Sequence, residues 1–180
     1  MSDESAAGSA GAPLRLLRWT VTAGSSVNSR AAVVLRAAHL DWQASAEGNG
    51  AVDALLRAVN LALADVLGGA PLLLAYDVHA LAEGPDAEGR VTVQIAPPPG
   101  ATGGRADGRF SGAVASTNIV AASVEAYVVA LSAMLDAGPW AGAAEDAGAR
   151  RGDADTESGA PTVEFDPDAR TIDTTAWFNR

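Results

Sequence analysis

Gly48-Asn49-Gly50-Ala51-Val52-Asp53-Ala54 leads from strand-like sequence directly into a segment with helical periodicity. The two glycines allow backbone geometry that a side chain would forbid. We predict that Asn49 caps the helix and that Asp53 falls in its first turn, where the helix dipole favours negative charge. From Ala51 to Leu67 the apolar residues recur at intervals of three or four. This spacing predicts an amphipathic helix that ends at Gly68-Gly69.

The order strand, strand, third strand and helix occurs twice along the chain. A second helix is predicted over Thr117–Asp136, stopped by Gly138-Pro139. We therefore predict an α+β domain of two strand-strand-strand-helix units, related by a pseudo-twofold axis, with the helices packed on sheet. Two helix N-termini on small-residue loops favour a small-molecule binding module over a catalyst. The strands are predicted at Leu14–Thr22, Ala31–Ala44 (one long or two short strands), Leu72–Leu81, Val91–Ile95 and Phe110–Val114.

Composition excludes several functional classes. The 180 residues suit one domain and include no Cys, which excludes disulfides and a thiol nucleophile. All twelve basic residues are Arg, so a lysine Schiff base is excluded as well. The net charge is −10, and without a basic stripe nucleic-acid binding is not expected. Because no apolar run has the length of a membrane span and no signal peptide is evident, we expect a soluble, cytoplasmic protein.

The acidic residues are concentrated at the two ends of the chain. Residues 14–136 hold eleven acids and eight Arg, whereas the sequence from Ala137 onward holds nine acids and four Arg. We predict a disordered leader at 1–13, a folded domain at 14–138 and an acidic flexible tail at 139–180. Apolar residues return at 162–178, which predicts either a docking segment or an unstructured tail with a few aromatic residues. Within the domain, Pro97–Gly108 is predicted to be a mobile loop.

Four segments, taken in order, resemble one known family. Gly48–Ala54 is similar to the Gly-Asn-Gly-Pro-Val-Asp-Ala segment in the regulatory (allosteric, dimerisation) domain of 2-isopropylmalate synthase. Leu74–Leu81 resembles that domain's strand with a central Tyr, Gly84–Ala87 its Gly-x-Asp-Ala turn, and Asn118–Val128 its final helix. Together the segments cover roughly residues 15–135.

The resemblance implies an intimate homodimer that binds leucine, the pathway end product, as a feedback inhibitor. Related domains of citramalate and homocitrate synthases sense isoleucine or other ligands. The expected partners are a second copy of the chain, a branched-chain amino acid or 2-oxo acid, and a synthase on which the domain acts in trans. Carried over residue by residue, the ligand site comprises Gly48, Asn49, Gly50 and Val52 in a loop, Leu73, Tyr76 and Ala80 in an apolar wall, and Ala87 and Ile119.

The sequence departs from the family pattern at three positions: Ala51 replaces a Pro, Val114 a Gly, and Asn118 an Asp. The metal-binding barrel of the synthases, with its His-x-His pair, has no counterpart in these residues, whose histidines are His39 and His79. We therefore expect a regulatory module that stands without the catalytic barrel.

An enzyme remains the alternative hypothesis. Asp77 and His79 fall on one face of a predicted strand and could orient an imidazole for base catalysis. An isomerase or cyclase of secondary metabolism could use the same pocket, and a dimer without a ligand is a third hypothesis. No motif places a nucleophile, and His39 beside Asp41 is expected at the surface. Two isolated histidines make a poor metal centre, so we predict neither a metal site nor a cofactor.

Overall fold

Two three-stranded antiparallel sheets, each followed by helical sequence, form the part of the chain that the structure describes. This arrangement confirms the predicted α+β class. The computed structural model describes residues 13–84, 86–99, 108–137 and 146. The elements are β1 (Arg15–Gly24), β2 (Val27–Ala37), β3 (Leu40–Gly48), α1 (Ala51–Ala62), α2 (Ala64–Leu67), β4 (Leu72–Ala80), β5 (Gly89–Ala96), β6 (Phe110–Ser116) and α3 (Ile119–Leu135).

The two sheets have the same strand order and the same irregularity in their first strands. Their strands follow the sequence, β1-β2-β3 in one sheet and β4-β5-β6 in the other. In each first strand the pairing register shifts at the third residue, Leu17 in β1 and Leu74 in β4. A bulge at the same position of both units supports the internal repeat inferred from the sequence. The pseudo-twofold axis between the units stays a prediction.

The helical prediction for Ala51–Leu67 is confirmed, with a break that the sequence pattern does not show. Leu63 leaves the helical conformation (φ −100°, ψ 14°) and separates α1 from α2. Gly68 ends α2 in the left-handed region (φ 65°), as the glycine pair predicted. The segment predicted as one long or two short strands is two strands, joined by a turn with Ala38 at φ 52°.

Each sheet is covered by its own helix. α1 packs on β2 and β3, and α3 packs on β5 and β6. At Gly112 of β6 an added Cβ would overlap the carbonyl oxygen of Ala126, so the backbone of α3 lies directly on the strand. The largest fully buried side chains of the described residues are Trp42, Leu35, Leu55, Leu63, Leu67, Ile95, Leu131 and Met134.

Hydrogen bonds of Tyr127 and Leu14 connect the two units. The hydroxyl of Tyr127 on α3 donates to the side-chain oxygen of Asn60 on α1 at 2.6 Å. Burial raises the pKa of Tyr127 to about 12, because the charged phenolate is costly to desolvate, and the bond to Asn60 opposes this rise. The amide N–H of Leu14, which precedes β1, donates to Ser132 Oγ of α3 at 3.1 Å.

Several predicted segments lie wholly or mainly outside the described residues. No helix within the described ranges has the length and apolarity needed to cross a membrane. The predictions that fall outside concern the leader, the middle of the Pro97–Gly108 loop, the Gly138-Pro139 stop and the acidic tail at 139–180 with its apolar segment at 162–178.

Candidate functional site

The loop between β3 and α1 requires a glycine at only one of its two glycine positions. A Cβ on Gly48 would lie 2.5 Å from the backbone nitrogen of Ala54, closer than real contacts allow. Gly48 is therefore needed for the close approach of α1 to β3. Gly50 is extended (φ −158°), and a Cβ there would meet open space. The prediction that a side chain would be forbidden holds for Gly48 and is wrong for Gly50.

The cap of α1 also differs from the sequence prediction. Gly50, not Asn49, occupies the N-cap position, and no side chain caps the helix from there. Asp53 acts from inside the first turn instead. Its Oδ2 accepts the backbone N–H of Asn49 at 2.9 Å, and its Oδ1 accepts Arg57 Nε at 2.9 Å. A residue within the helix thus supplies the negative group that the dipole favours.

The carboxylate of Asp53 is a negative group that already lies at this loop. The bond from Arg57, and then the bond from the Asn49 amide, hold the pKa of Asp53 below its usual range. One of the N–H groups predicted to receive a ligand carboxylate is therefore occupied by Asp53. The amides of Ala51 and Val52, in the first turn, have no carbonyl within their own helix to bind, since the first such bond is made by Ala54 to Gly50.

The start of α3 is capped by neutral groups. Asn118 Oδ1 accepts the N–H of Ala121 at 3.1 Å, and Ser116 Oγ accepts the N–H of Asn118 at 3.0 Å. This cap is complete without an anion. Of the two predicted carboxylate positions, the β3–α1 loop is therefore the better candidate.

A second group of predicted residues meets where β4 lies beside α3. Tyr76 and Ala80 lie on the helix side of β4, since Tyr76 reaches α3 and strand side chains alternate. Tyr76 Oη is 2.6 Å from Ser123 Oγ, which in turn donates to the carbonyl of Ile119 at 2.6 Å. Leu73 pairs with the buried Ile95, which places it on the same face. We call Leu73, Tyr76, Ala80 and Ile119 the apolar wall.

Gly89 allows Ile119 to complete this wall. A Cβ on Gly89 would overlap the δ-methyl of Ile119, so the isoleucine side chain lies against the bare backbone of β5. Ala80 is the register partner of Gly89, which puts Ile119 next to Ala80. Ala87 belongs to the turn that joins β4 to β5, where its N–H donates to Gly84. An open depression of about 470 Å³ lies along this turn and includes Ala87.

β4 is the most exposed apolar part of the described chain. Ten large apolar side chains of the described residues remain exposed, and six of them lie within residues 72–81. Tyr76 is 37% exposed and Leu73 is 50% exposed. β4 packs mainly on β5 and reaches α3 through Tyr76, whereas Gly48, Asn49, Gly50 and Val52 belong to the other unit. The structure thus gathers the wall and leaves the loop as a separate group.

The residues of the alternative enzymatic hypothesis lie on the other side of the sheet. Asp77 pairs with Thr92, and His79 pairs with Arg90, so both side chains alternate away from Tyr76 and Ala80. Asp77 and His79 are exposed. Within the described ranges no three metal-ligating side chains come together.

Two residues of this region were missed by the sequence analysis. Ser123 connects Tyr76 to Ile119, and Gly89 makes space for Ile119. Ser123 follows Ile119 by one helical turn, and this spacing could have suggested a hydroxyl facing the same direction as the isoleucine. The role of Gly89 depends on a contact between two distant segments, and nothing in its local sequence indicates it.

Comparison with known proteins identifies the family. The profile of the LeuA allosteric (dimerisation) domain matches residues 1–135, and the chain belongs to this family. It is 39% identical over 127 residues to a 2-isopropylmalate synthase of Prochlorococcus marinus (strain MIT 9303), which covers 68% of this chain and 20% of that protein. The synthase of Nitrosococcus oceani is 38% identical over 106 residues, covering 58% of this chain and 18% of the relative. The matched part therefore spans about a fifth of these relatives.

Proposed function

We propose that residues 14–138 form a homodimeric regulatory domain that binds a branched-chain amino acid of the leucine type. The observation that carries this proposal is the exposed apolar face of β4, in a chain whose family is defined as an allosteric and dimerisation domain. Binding would control a synthase of the 2-isopropylmalate type, in the same polypeptide or in trans. We also propose a cytoplasmic location, with which the cysteine-free sequence is consistent.

The dimer is supported by the distribution of exposed apolar surface. Contiguous apolar patches of this kind on a small protein mark an interaction surface. Because β4 has few contacts besides β5 within the described chain, a second copy could cover the strand without displacing a helix. A stable interface of this type buries about 1,000 Å² or more.

The ligand class is supported by the chemistry of the two residue groups. The apolar wall offers aliphatic and aromatic surface to a branched side chain. The first turn of α1 offers the amides of Ala51 and Val52 and the positive end of the helix dipole to a carboxylate. Because the described chain keeps this turn and the apolar wall as separate groups, we propose that the dimer brings the turn of one copy beside the wall of the other. Asp53 already supplies one negative charge at the turn, so the ligand carboxylate contacts these two amides and leaves the Asn49 amide to Asp53.

Calorimetry with leucine, isoleucine and valine tests the ligand. We expect the wild type to bind at least one of them below millimolar concentration. Ala80→Phe should abolish binding, because it fills space beside Ile119 at an exposed strand position and does not enter packed core. His79→Phe is the matched control, since it places the same ring on the opposite face of β4 and should leave affinity unchanged.

Three results would decide against the proposal. The absence of binding to all three amino acids by the wild type would exclude this ligand class. Equal binding by Ala80→Phe would place the ligand elsewhere. A chain that remains monomeric at micromolar concentration in light scattering, with and without leucine, would exclude the dimer. Turnover of a 2-oxo acid or amino acid during these measurements would favour the isomerase or cyclase alternative.

A further inference from the structure

Ser123 has an unusual position for a hydroxyl. It is completely buried in α3 and is one of two buried polar side chains among the described residues. Its Oγ donates to the carbonyl oxygen of Ile119 at 2.6 Å. A serine hydroxyl has a single proton, so the 2.6 Å contact with Tyr76 must use the tyrosine as donor. The hydrogen bonds therefore run from Tyr76 to Ser123 and from Ser123 to Ile119.

This chain of hydrogen bonds joins two sides of the apolar wall. Tyr76 belongs to β4, and Ile119 is the first residue of α3. The carbonyl that Ser123 binds is that of Ile119 itself, whose side chain lies over Gly89. The two wall residues are thus held in a fixed relation by a third residue that has no exposed surface of its own.

The hydrogen bond gives the partly exposed ring of Tyr76 a polar anchor on α3. The side chain is 37% exposed, on a strand that α3 does not cover. An exposed aromatic side chain without a polar anchor samples several rotamers and loses that freedom when a ligand binds. With its hydroxyl held by Ser123, the ring is oriented before the ligand arrives.

We propose that Ser123 is the positioning residue that sets the selectivity of the wall among branched aliphatic side chains. It fixes the distance between the Tyr76 ring and Ile119, and this distance determines which side chain fits between them. A ligand that pushes the Tyr76 ring outward must stretch the hydrogen bond to Ser123. Ligand binding therefore also affects the first turn of α3. This inference rests on the proposed function and adds the residue that defines the size of the site.

A double-mutant cycle with Ser123→Ala and Tyr76→Phe tests the inference. Each variant removes one hydroxyl group, and both keep the aromatic ring at position 76. We expect each to reduce the preference for the best-bound amino acid over the other two by about fivefold, the effect of losing one net hydrogen bond. The double variant should show the same reduction as either single variant, because all three break the same bond.

The chain provides a matched control for each change. Tyr127→Phe removes the hydroxyl of the other tyrosine, which binds Asn60. Ser132→Ala removes a serine hydroxyl of the same helix, which binds the amide of Leu14. Both controls lower stability without touching the wall, so neither should change the order or the ratio of the three affinities.

NMR spectroscopy reports the environment of the Tyr76 ring independently of ligand binding. The chain has two tyrosines, so Tyr127→Phe assigns the ring NMR signals of Tyr76 directly. In the unliganded protein, Ser123→Ala should shift and average the Tyr76 ring signals, and Ser132→Ala should leave them in place. This measurement also shows that the variant is folded.

The outcomes separate this inference from the proposed function. A wild type that binds none of the three amino acids contradicts the proposed function. A wild type that binds, with unchanged selectivity in Ser123→Ala or with additive effects in the double variant, contradicts the role of Ser123 alone. Unchanged Tyr76 ring signals in Ser123→Ala also contradict it.

Discussion

The first strands of the two units carry similar patterns and have different surroundings. Val21 on β1 and Val78 on β4 each stand four residues after the bulge, and both face the helix side of their sheet. Val21 is half-buried, because α1 and α3 both contact β1, while Val78 is 44% exposed. One strand pattern thus gives a core strand in the first unit and an interaction surface in the second, depending on which helices reach it.

The strands beneath the helices also differ between the two units. Ala44 on β3 pairs with Val33, and Gly112 on β6 pairs with Val93, so the two residues hold equivalent places. At Gly112 the helix backbone is in direct contact with the strand, and there is no space for a methyl group. At this register position α3 lies closer to β6 than α1 lies to β3, whereas β4 of the second unit stays uncovered.

The largest expected effect comes from giving Gly112 the side chain of its counterpart. Gly112→Ala places a methyl group against the backbone of Ala126 and Ala130, which can move only if the whole helix moves. We expect a loss of about 3 kcal/mol or more in the free energy of unfolding, measured by urea denaturation. The reciprocal change, Ala44→Gly, should cost about 1 kcal/mol. Equal costs would show that the helices approach their sheets equally.

The connection between the units should depend on pH at the alkaline end. The pKa of Tyr127 is about 12 in the folded chain, against an ordinary value of 10.0. Because the folded state favours the protonated phenol, its contribution is complete below pH 10 and is lost as the pH rises toward 12. This loss amounts to about 2 to 3 kcal/mol. Tyr127→Phe should remove this part of the pH dependence, and an unchanged profile would contradict the assignment.

Charging the two equivalent valines should separate folding from association. Val78→Asp places a carboxylate on the exposed face of β4, and we expect a folded chain whose dimer is weaker by about tenfold or more. Val21→Asp places the same group where helices pack, so its main effect should be a lower free energy of unfolding. Sedimentation at several concentrations and thermal unfolding distinguish the two. Unchanged association of Val78→Asp would show that β4 is not the interface.

The smallest expected effect concerns the two helix starts. The pKa of Asp53 is lowered in the folded chain, so its contribution is present above the unfolded pKa and is lost as the pH falls through the folded pKa. Because the side chain is 39% exposed, solvent screening limits the contribution to about 0.5 kcal/mol. Asp53→Asn should remove it at neutral pH and have no such effect once the pH is below the folded pKa of Asp53. Asn118→Asp should add a similar acid-sensitive contribution to the free energy of unfolding at the start of α3, because the neutral Asn118 cap makes no such contribution.

The sequence predicted elements better than it predicted their ends. Periodicity located both helices, but it could not show the break at Leu63, because Leu63 and its neighbour Val66 continue the apolar spacing and are both buried. Asn49 was assigned as the cap from residue preference alone. Gly50 holds the cap position, and the acid four residues after Asn49 binds back to the Asn49 amide, which only the folded turn reveals.

The candidate site was predictable only in part, for a related reason. Tyr76 and Ile119 came from the resemblance to a family, and the structure links them through hydrogen bonds to Ser123. Ser123 and Gly89 were missed because their roles exist only between segments that are far apart in sequence. From sequence alone, a serine inside a helix indicates no particular role, because its hydrogen-bond partner on another element is not known.

The bond between Leu14 and Ser132 has a consequence for synthesis. Its two partners are 118 residues apart, so the strand that follows Leu14 meets the last helix of the described fold only after nearly all of that fold has been translated. Until then the helix-side residues of β1 lack one of the two helices that cover them. A nascent chain arrested before α3 should therefore stay bound to chaperones and sensitive to proteases, and it should become resistant in a single step once α3 has emerged.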